Sequence, residues 1–514
     1  MDSIELPVMG VDIGTTGVRA MIYHPDGSAM ANQSIDYPLY TPEAAWAEQD
    51  PEEIYKATLL VINRAVQESK LRAQDIAGIC FSSVFHSTIP VDNDGNALHP
   101  MLIWADSRSQ RYTEKIIAAQ EGQNIYTKTA CPPHPMYPFY KILWFRYEKP
   151  AIFAHTVKFI SIKEYILYRL LGKYLVDKSI ASGTSIYNVH TLQWDPLLLD
   201  MLGIDESKLS KVCPTTHIER SLKPEIARSL GLDPQIAIIL GAGDGVLSNL
   251  GAGAVHPGQI TAMIGTSGAV RVITNKPQID QKRRTWCYNL TEDHWVVGGA
   301  INNGGIAFRW LRDKFGESEM HLADNMDLDA YDILSSYAEQ VPVGSDGLIL
   351  LPFFSGERAP YWNANARATF FGLNLNHGKP HMVRATLEGV IYSMFSVFTA
   401  LEDFAGSASE VRVSGSFTRS KLWLQIMADV FGRTISVPGE PQGSAFGASA
   451  LGMYALGMIK DLQAIGKLVP IIHQYEPNTD NHKRYSQLFS LYERIYWNLQ
   501  QEFIDIAEIQ RTWR

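Results

Sequence analysis

The chain has 514 residues, 46% hydrophobic and 19% charged, and its 54 acidic and 45 basic side chains leave a formal net charge of -9. That apolar content excludes a disordered polymer, and the length exceeds what one core serves, so two or more domains are expected. An acidic surface without a local basic patch repels phosphate backbones, which argues against a nucleic-acid partner.

The opening stretch "MDSIELPVMG" lacks the basic and long apolar regions of a secretory signal, and no apolar run is long enough to cross a bilayer, so a cytoplasmic protein without a membrane partner is expected. Val8–Ile13 reads as a strand, a turn follows, and Val18–Tyr23 resumes the β pattern. "HPDGS" at His24–Ser28 supplies a second turn, making a hairpin and then a meander. Asp50-Pro51-Glu52-Glu53 starts a helix with an N-cap acceptor, a proline in the first turn and acids at the positive end of the dipole; Ile54, Ala57, Val61 and Ala65 then recur at helical spacing. Ile76–Ser83 and Ile236–Gly245 read as buried parallel strands that run out into polar or glycine-rich loops, where α/β proteins place ligands. Short strands restart around Ala254–Gly265, Leu348–Phe354 is another buried run, and helices follow at about His381–Leu401 and Ser420–Phe431. Cys80, Cys131, Cys213 and Cys287 stand singly with no CxxC spacing, so reduced and mostly buried thiols are expected, and the sequons at Asn32 and Asn289 read as chance matches.

Two stretches resemble each other: "GVDIGTTGVR" at Gly10–Arg19 and "MIGTSGAVRV" at Met263–Val272, about half the chain apart. Either an α/β domain is duplicated or a common turn occurs twice. Such a turn offers unhindered backbone N–H groups and hydroxyls to phosphate oxygens, and two of them suit one nucleoside triphosphate. Asp12, just before the first turn, is placed to bind Mg²⁺ directly or through its waters; the plainer alternative is a solvated carboxylate beside a β-turn. There is no GxxxxGK[ST] loop and no HRD motif. "GAGDG" at Gly241–Gly245 has Val246 where a dinucleotide motif needs its third glycine. Asp244, at a strand end near the middle of the chain, either takes a proton from a hydroxyl attacking a γ-phosphate or caps the helix of "DGVLSNLG".

The turn "DIGTTGVR", "MYPFYKILW" at Met136–Trp144, "ATFFGLNLNHGKPHMVRATLE" at Ala368–Glu388 and "SGSFTRS" at Ser414–Ser420 resemble the successive motifs of the FGGY family of carbohydrate kinases, within the actin-like ATPase superfamily. The two middle segments fit both family signatures, and the motifs run from Asp12 to beyond Phe446. The resemblance implies an α/β chain of two ribonuclease-H-like domains flanking a central cleft and able to close, residues 1–245 mainly for sugar and 246–514 mainly for ATP. It implies a first phosphate and Mg²⁺ site at Asp12, Thr15 and Thr16, a second phosphate site at Gly265, Thr266 and Ser267, and an adenosine motif at Gly415, Ser416 and Ser420, with Ser416 replacing the family's second glycine. Asn303, Gly304 and Gly305 lie where the family also contacts nucleotide, or they merely start a helix. Asp244 falls on the catalytic base.

"YPLYTPEAAWAEQDPEEI", "FSSVFHS", "WADSRS", "PPHPMYP" and "NNGGIAFRWLRD" are similar to family members that act on gluconate, which implies ATP-dependent phosphorylation of the 6-hydroxyl of D-gluconate. A linear, hydroxylated sugar acid needs donors, acceptors and a positive group, and His86, Asp106, Arg108, His134, Met136 and Asp244 are the expected contacts. The plainer alternative is that the histidines are satisfied structural residues and that Arg108 is the partner of Asp106. Rivals are a kinase of another sugar or polyol, xylulose first, an actin-like ATP-responsive protein, and a silent sensor; both signatures together with Asp244 favour a working kinase. A homodimer is left open.

Overall fold

The apolar alternation of the first residues builds a sheet. In the computed structural model, which describes residues 6–256, 258–440 and 443–513 apart from the side chain of Phe404, β1 (Val8–Ile13) pairs antiparallel with β2 (Gly17–Tyr23), and β2 with β3 (Ala29–Asp36). This is the expected hairpin and meander. On its other side β1 lies parallel to β4 (Gly78–Ser83), and β4 parallel to β5 (Ala237–Gly243); the short strand Ile218–Glu219 closes that edge. Helix Pro51–Ser69 packs on the sheet, its N-cap Asp50 accepting from the Glu52 N–H, with Ile54, Ala57, Val61 and Ala65 buried as their spacing predicts. The core beneath it includes Val11, Ile13, Ile22, Ile62, Phe81 and Leu240.

By contacts the chain divides into two units. The first comprises Met1–His256, Ile273–Val297 and Gly439–Pro470; the second comprises Pro257–Val272, Gly298–Pro438 and Ile471–Arg514. The sheet of the second contains a run that repeats the logic of the first: β6 (Gln259–Ile264) and β7 (Gly268–Thr274) form an antiparallel hairpin, and β6 lies parallel to β8 (Glu410–Ser414). β9 (Ile435–Pro438) and β10 (Ile471–Tyr475) continue it. The helices expected at 381–401 and 420–431 are Lys379–Ala405 and Lys421–Phe431, and Ile349–Leu351 is a buried strand within the expected apolar run.

The glycines of "GAGDG" have a local reason. Gly241 takes φ 70° at a bulge where the register of β5 against β4 shifts, and a Cβ there would stand 1.8 Å from the Phe81 carbonyl oxygen. Gly243 leaves room for the Phe85 ring. All four cysteines are buried free thiols. Among the described residues no helix is long and apolar enough to cross a membrane.

Candidate active site

The carboxyl ends of β1, β4 and β5 are level: Ile13 pairs with Ser83, and Ser83 with Gly243. The loops that carry Thr15, Thr16 and His86, and the helix start that carries Asp244, therefore lie at one end of these strands in the first unit's sheet, the usual place for ligands in parallel sheets. In the first turn the Gly14 N–H donates to Gly17 O at 2.9 Å. The Tyr37 hydroxyl donates to Gly14 O (2.5 Å), Gln49 Nε2 to Thr15 O (2.8 Å) and Trp104 Nε1 to Thr15 Oγ1 (2.9 Å). These bonds fix the turn through its oxygens, and among the described residues no acceptor takes the N–H of Thr15 or Thr16. Burial and the charges of Asp12 and Asp36 hold the Tyr37 phenol well above its ordinary range, so it acts as a donor throughout the physiological range.

Asp12 is half-buried. Its Oδ2 accepts from Ser444 Oγ at 2.6 Å, whereas Oδ1 is buried without a hydrogen-bond partner. Among the described residues no group of three or more His, Cys, Asp or Glu side chains is placed to hold a metal ion. One carboxylate oxygen beside a turn whose Thr15 and Thr16 N–H groups have no acceptor among the described residues fits the way Mg²⁺ is commonly held, through one or two carboxylates, phosphates and its own waters.

Asp244 opens the helix Asp244–Gly251 directly after β5. The strand end is clamped: Lys163 Nζ donates to Ala242 O at 3.0 Å and pairs with the buried Asp177 at 2.6 Å, and the Gly243 N–H donates to Ser179 Oγ at 3.1 Å. The N-cap position falls on Gly243 and Asp244 is the first helical residue; its Oδ1 accepts from the adjacent Gly245 N–H at 2.6 Å, and its side chain is half-buried.

His86 adopts φ 67°, and its Nδ1 lies 2.7 Å from Gly183 O. Lys141, a wholly buried amine in the "MYPFYKILW" motif, donates to His86 O (2.5 Å) and Ile103 O (2.7 Å), tying the β4 loop to the segment that leads into Trp104–Arg108. Burial pulls its pKa down to about 7, and a neutral amine still carries both donors. Arg108 Nε lies 2.9 Å from both Asp106 oxygens, Nη2 lies 2.7 Å from Glu48, and the guanidinium stacks 3.8 Å from the Trp46 ring centre. Asp106 and Arg108 are thus partners of one another, while Arg108 Nη1 is buried without an acceptor. His134 Nδ1 accepts from the Met136 N–H at 3.2 Å, and the Met136 side chain is buried.

A narrow cavity of about 30 Å³, room for a single water, is lined in part by His86, Thr88, Glu164 and Ser210. Burial pushes Glu164 up to about 7 against the hydrogen bonds it shares with Ser161, with the Asp177 charge adding to the rise. Between pH 4.5 and 7 the unfolded carboxyl is ionised while the folded one is protonated, so folding takes up a proton and stability falls as pH rises through that window. Above it the penalty is ~3 kcal/mol. Glu164→Gln should therefore raise Tm most near pH 8 and least near pH 4.5, as read by thermal unfolding across that range; parallel curves for both proteins would contradict it.

In the second unit the ends of β6 and β8 are level, Met263 pairing with Ser414. Gly265 N–H donates to Ser267 O (2.9 Å), Gly304 N–H to Thr266 O (3.1 Å) and Gly305 N–H to Gly265 O (2.7 Å), so Asn303–Gly305 brace the turn Gly265–Ser267. The Asn303 amide is itself held, Nδ2 on Gly356 O at 2.8 Å and Oδ1 accepting from the Ser355 N–H at 3.1 Å. Gly415 takes φ 102°, and a Cβ on it would lie 2.2 Å from Ile264 O. The strained conformation belongs to Gly415, which explains why serine is tolerated at 416, the first residue of the 3₁₀ turn Ser416–Arg419. Ser420 Oγ accepts from the Trp423 N–H at 3.3 Å and caps the helix Lys421–Phe431. The three predicted nucleotide segments of this unit thus gather at one strand edge. Ser444, Lys163 and Ser355 are supports that carry no motif, whereas Lys141, a lysine in an apolar run, is visible as an anomaly once the motif is in view.

Residues 7–251 match the N-terminal domain, and residues 260–456 the C-terminal domain, of the FGGY family of carbohydrate kinases. Gluconokinase of Bacillus subtilis (strain 168) is 42% identical over 505 residues, 98% of either chain. Crystal structures of a gluconate kinase and of a ligand-bound xylulose kinase, both from Lactobacillus acidophilus, each superpose with TM-score 0.92 at 36% identity, covering 97% of this chain and 99% of theirs. With paired Gly-Thr turns at two parallel-strand edges and both family domains matched in order along it, the chain belongs to the FGGY family of carbohydrate kinases.

Proposed function

We propose that the chain transfers the γ-phosphate of ATP to the 6-hydroxyl of D-gluconate, giving 6-phosphogluconate and ADP in the cytoplasm. The observation that carries the choice of sugar is the full-length likeness to gluconokinase. The hydroxyl oxygen bonds to the γ-phosphorus, the bridging bond to the β-phosphate breaks, and the hydroxyl proton passes to the Asp244 carboxylate. Lys163 and Ser179 position Asp244 by holding the last peptides of β5, which spares the site reorganisation as the proton moves. The N–H groups of Thr15 and Thr16 and the turn Gly265–Ser267 bind phosphate oxygens; Gly415, Ser416 and Ser420 take the adenosine. Mg²⁺ at Asp12 would supply charge neutralisation of the phosphates. Gluconate is an anion, and the buried, unpaired Nη1 of Arg108, with His86 and His134, are the groups we assign to it, Asp106 and Met136 shaping their loops.

A xylulose kinase is the second reading, favoured by the equal structural likeness to a ligand-bound xylulose kinase. ADP formation measured with gluconate, xylulose, ribulose and glycerol in one coupled assay separates them. Gluconate should give kcat/KM at least ~10-fold above the others, since an acceptor without the carboxylate leaves the buried Arg108 Nη1 donor unsatisfied, at a cost of about 1–3 kcal/mol. Preference for xylulose would overturn the assignment of the sugar but not of the kinase.

A further inference from the structure

The helix Ser444–Ala455 brings Asp12 a hydroxyl from far along the chain. β1 presents Val8, Gly10 and Asp12 on one face, and the helix lies against it: Ser449 Oγ donates to Val8 O at 3.1 Å, and a Cβ at Gly10 would stand 1.9 Å from Ala445 O. A glycine at 10 is what lets the first turn of the helix close on the strand. Ser444 Oγ then donates to Asp12 Oδ2 at 2.6 Å. The second oxygen, Oδ1, is buried with no partner, and Ser82, level with Asp12 on β4, also buries an unpartnered hydroxyl. An ionised carboxylate oxygen left unsatisfied in the interior is costly, and a cation or its water beside it offsets that cost.

We infer that Ser444 is a positioning residue for the cation site: by occupying Oδ2 it fixes the rotation of the Asp12 carboxylate, so that Oδ1 alone is presented to a divalent cation bound with nucleotide. The inference rests on the assignment of Asp12 to that cation. A carboxylate without this bond turns about its terminal torsion, which has a broad minimum. The positive end of the helix beside it also favours the negative charge the cation needs. A bond serving only to fasten the helix to β1 would do so whether or not a cation binds, and the two roles therefore separate experimentally.

The probe is Mn²⁺, titrated into the full chain with ADP and followed by the electron paramagnetic resonance signal of free Mn²⁺, alongside thermal unfolding. Ser444→Ala should weaken Mn²⁺ binding ~10-fold, Ser444→Thr should restore most of it, and Asp12→Asn should weaken it further. Should Ser444→Ala fail to fold, Ser444→Cys, close in volume but a poor donor, carries the same expectation. A lowered Tm with unchanged Mn²⁺ affinity in the Ser444 variants, while Asp12→Asn loses affinity, overturns the inference and leaves Asp12 as assigned. Unchanged Mn²⁺ binding in Asp12→Asn removes the assignment of Asp12, and the role of Ser444 with it.

Discussion

Asp244→Asn should lower kcat at least ~10²-fold while the KM for gluconate stays within a few-fold of the parent. Asparagine keeps the side-chain oxygen that accepts from the Gly245 N–H, so the helix start and the end of β5 are preserved. What it loses is the ability to take a proton, which matters only as the hydroxyl attacks. The effect should therefore fall on kcat and not on ground-state binding. Steady-state kinetics with both substrates varied, together with a thermal melt matching the parent, check it; turnover within a factor of about three would mean that Asp244 is not the base.

Asp12→Asn should act differently. Its oxygen still accepts from Ser444, while the carboxylate charge that Oδ1 carries is gone. Lower kcat/KM for the nucleotide by ~10²-fold, with a higher Mg²⁺ concentration needed for half-maximal rate and an unchanged KM for gluconate, is the expected pattern. A loss confined to gluconate KM would place Asp12 on the sugar and not on the cation.

Strand and helix identities were legible where local physics decides them. The hairpin of Val8–Ile13 and Gly17–Tyr23, the Asp50 cap and the buried runs at Gly78–Ser83 and Ala237–Gly243 each follow from apolar period and turn chemistry over a few residues. The equivalence of the two Gly-Thr turns is equally local, and both prove to join antiparallel hairpins whose first strand has a parallel neighbour. The discontinuous course of the chain was not legible: Gly439–Pro470 belongs to the first unit, and nothing in "GSAFGASALG" announces that its first serine meets Asp12. Small residues permit close approach without saying to what. The supports of the site share this character, since Lys141 reaches two carbonyl oxygens from loops distant in sequence and Arg108 is paired by Glu48 sixty positions away. Long-range pairing of polar side chains leaves no period to read.

The most direct measurement is phosphorus NMR of the purified protein with ATP, Mg²⁺ and D-gluconate. A new phosphomonoester whose phosphorus couples to the C6 methylene protons, growing in step with ADP, is the result that the account predicts. Consumption of ATP to inorganic phosphate at a rate indifferent to gluconate, or no consumption with any of the four acceptors, would contradict it.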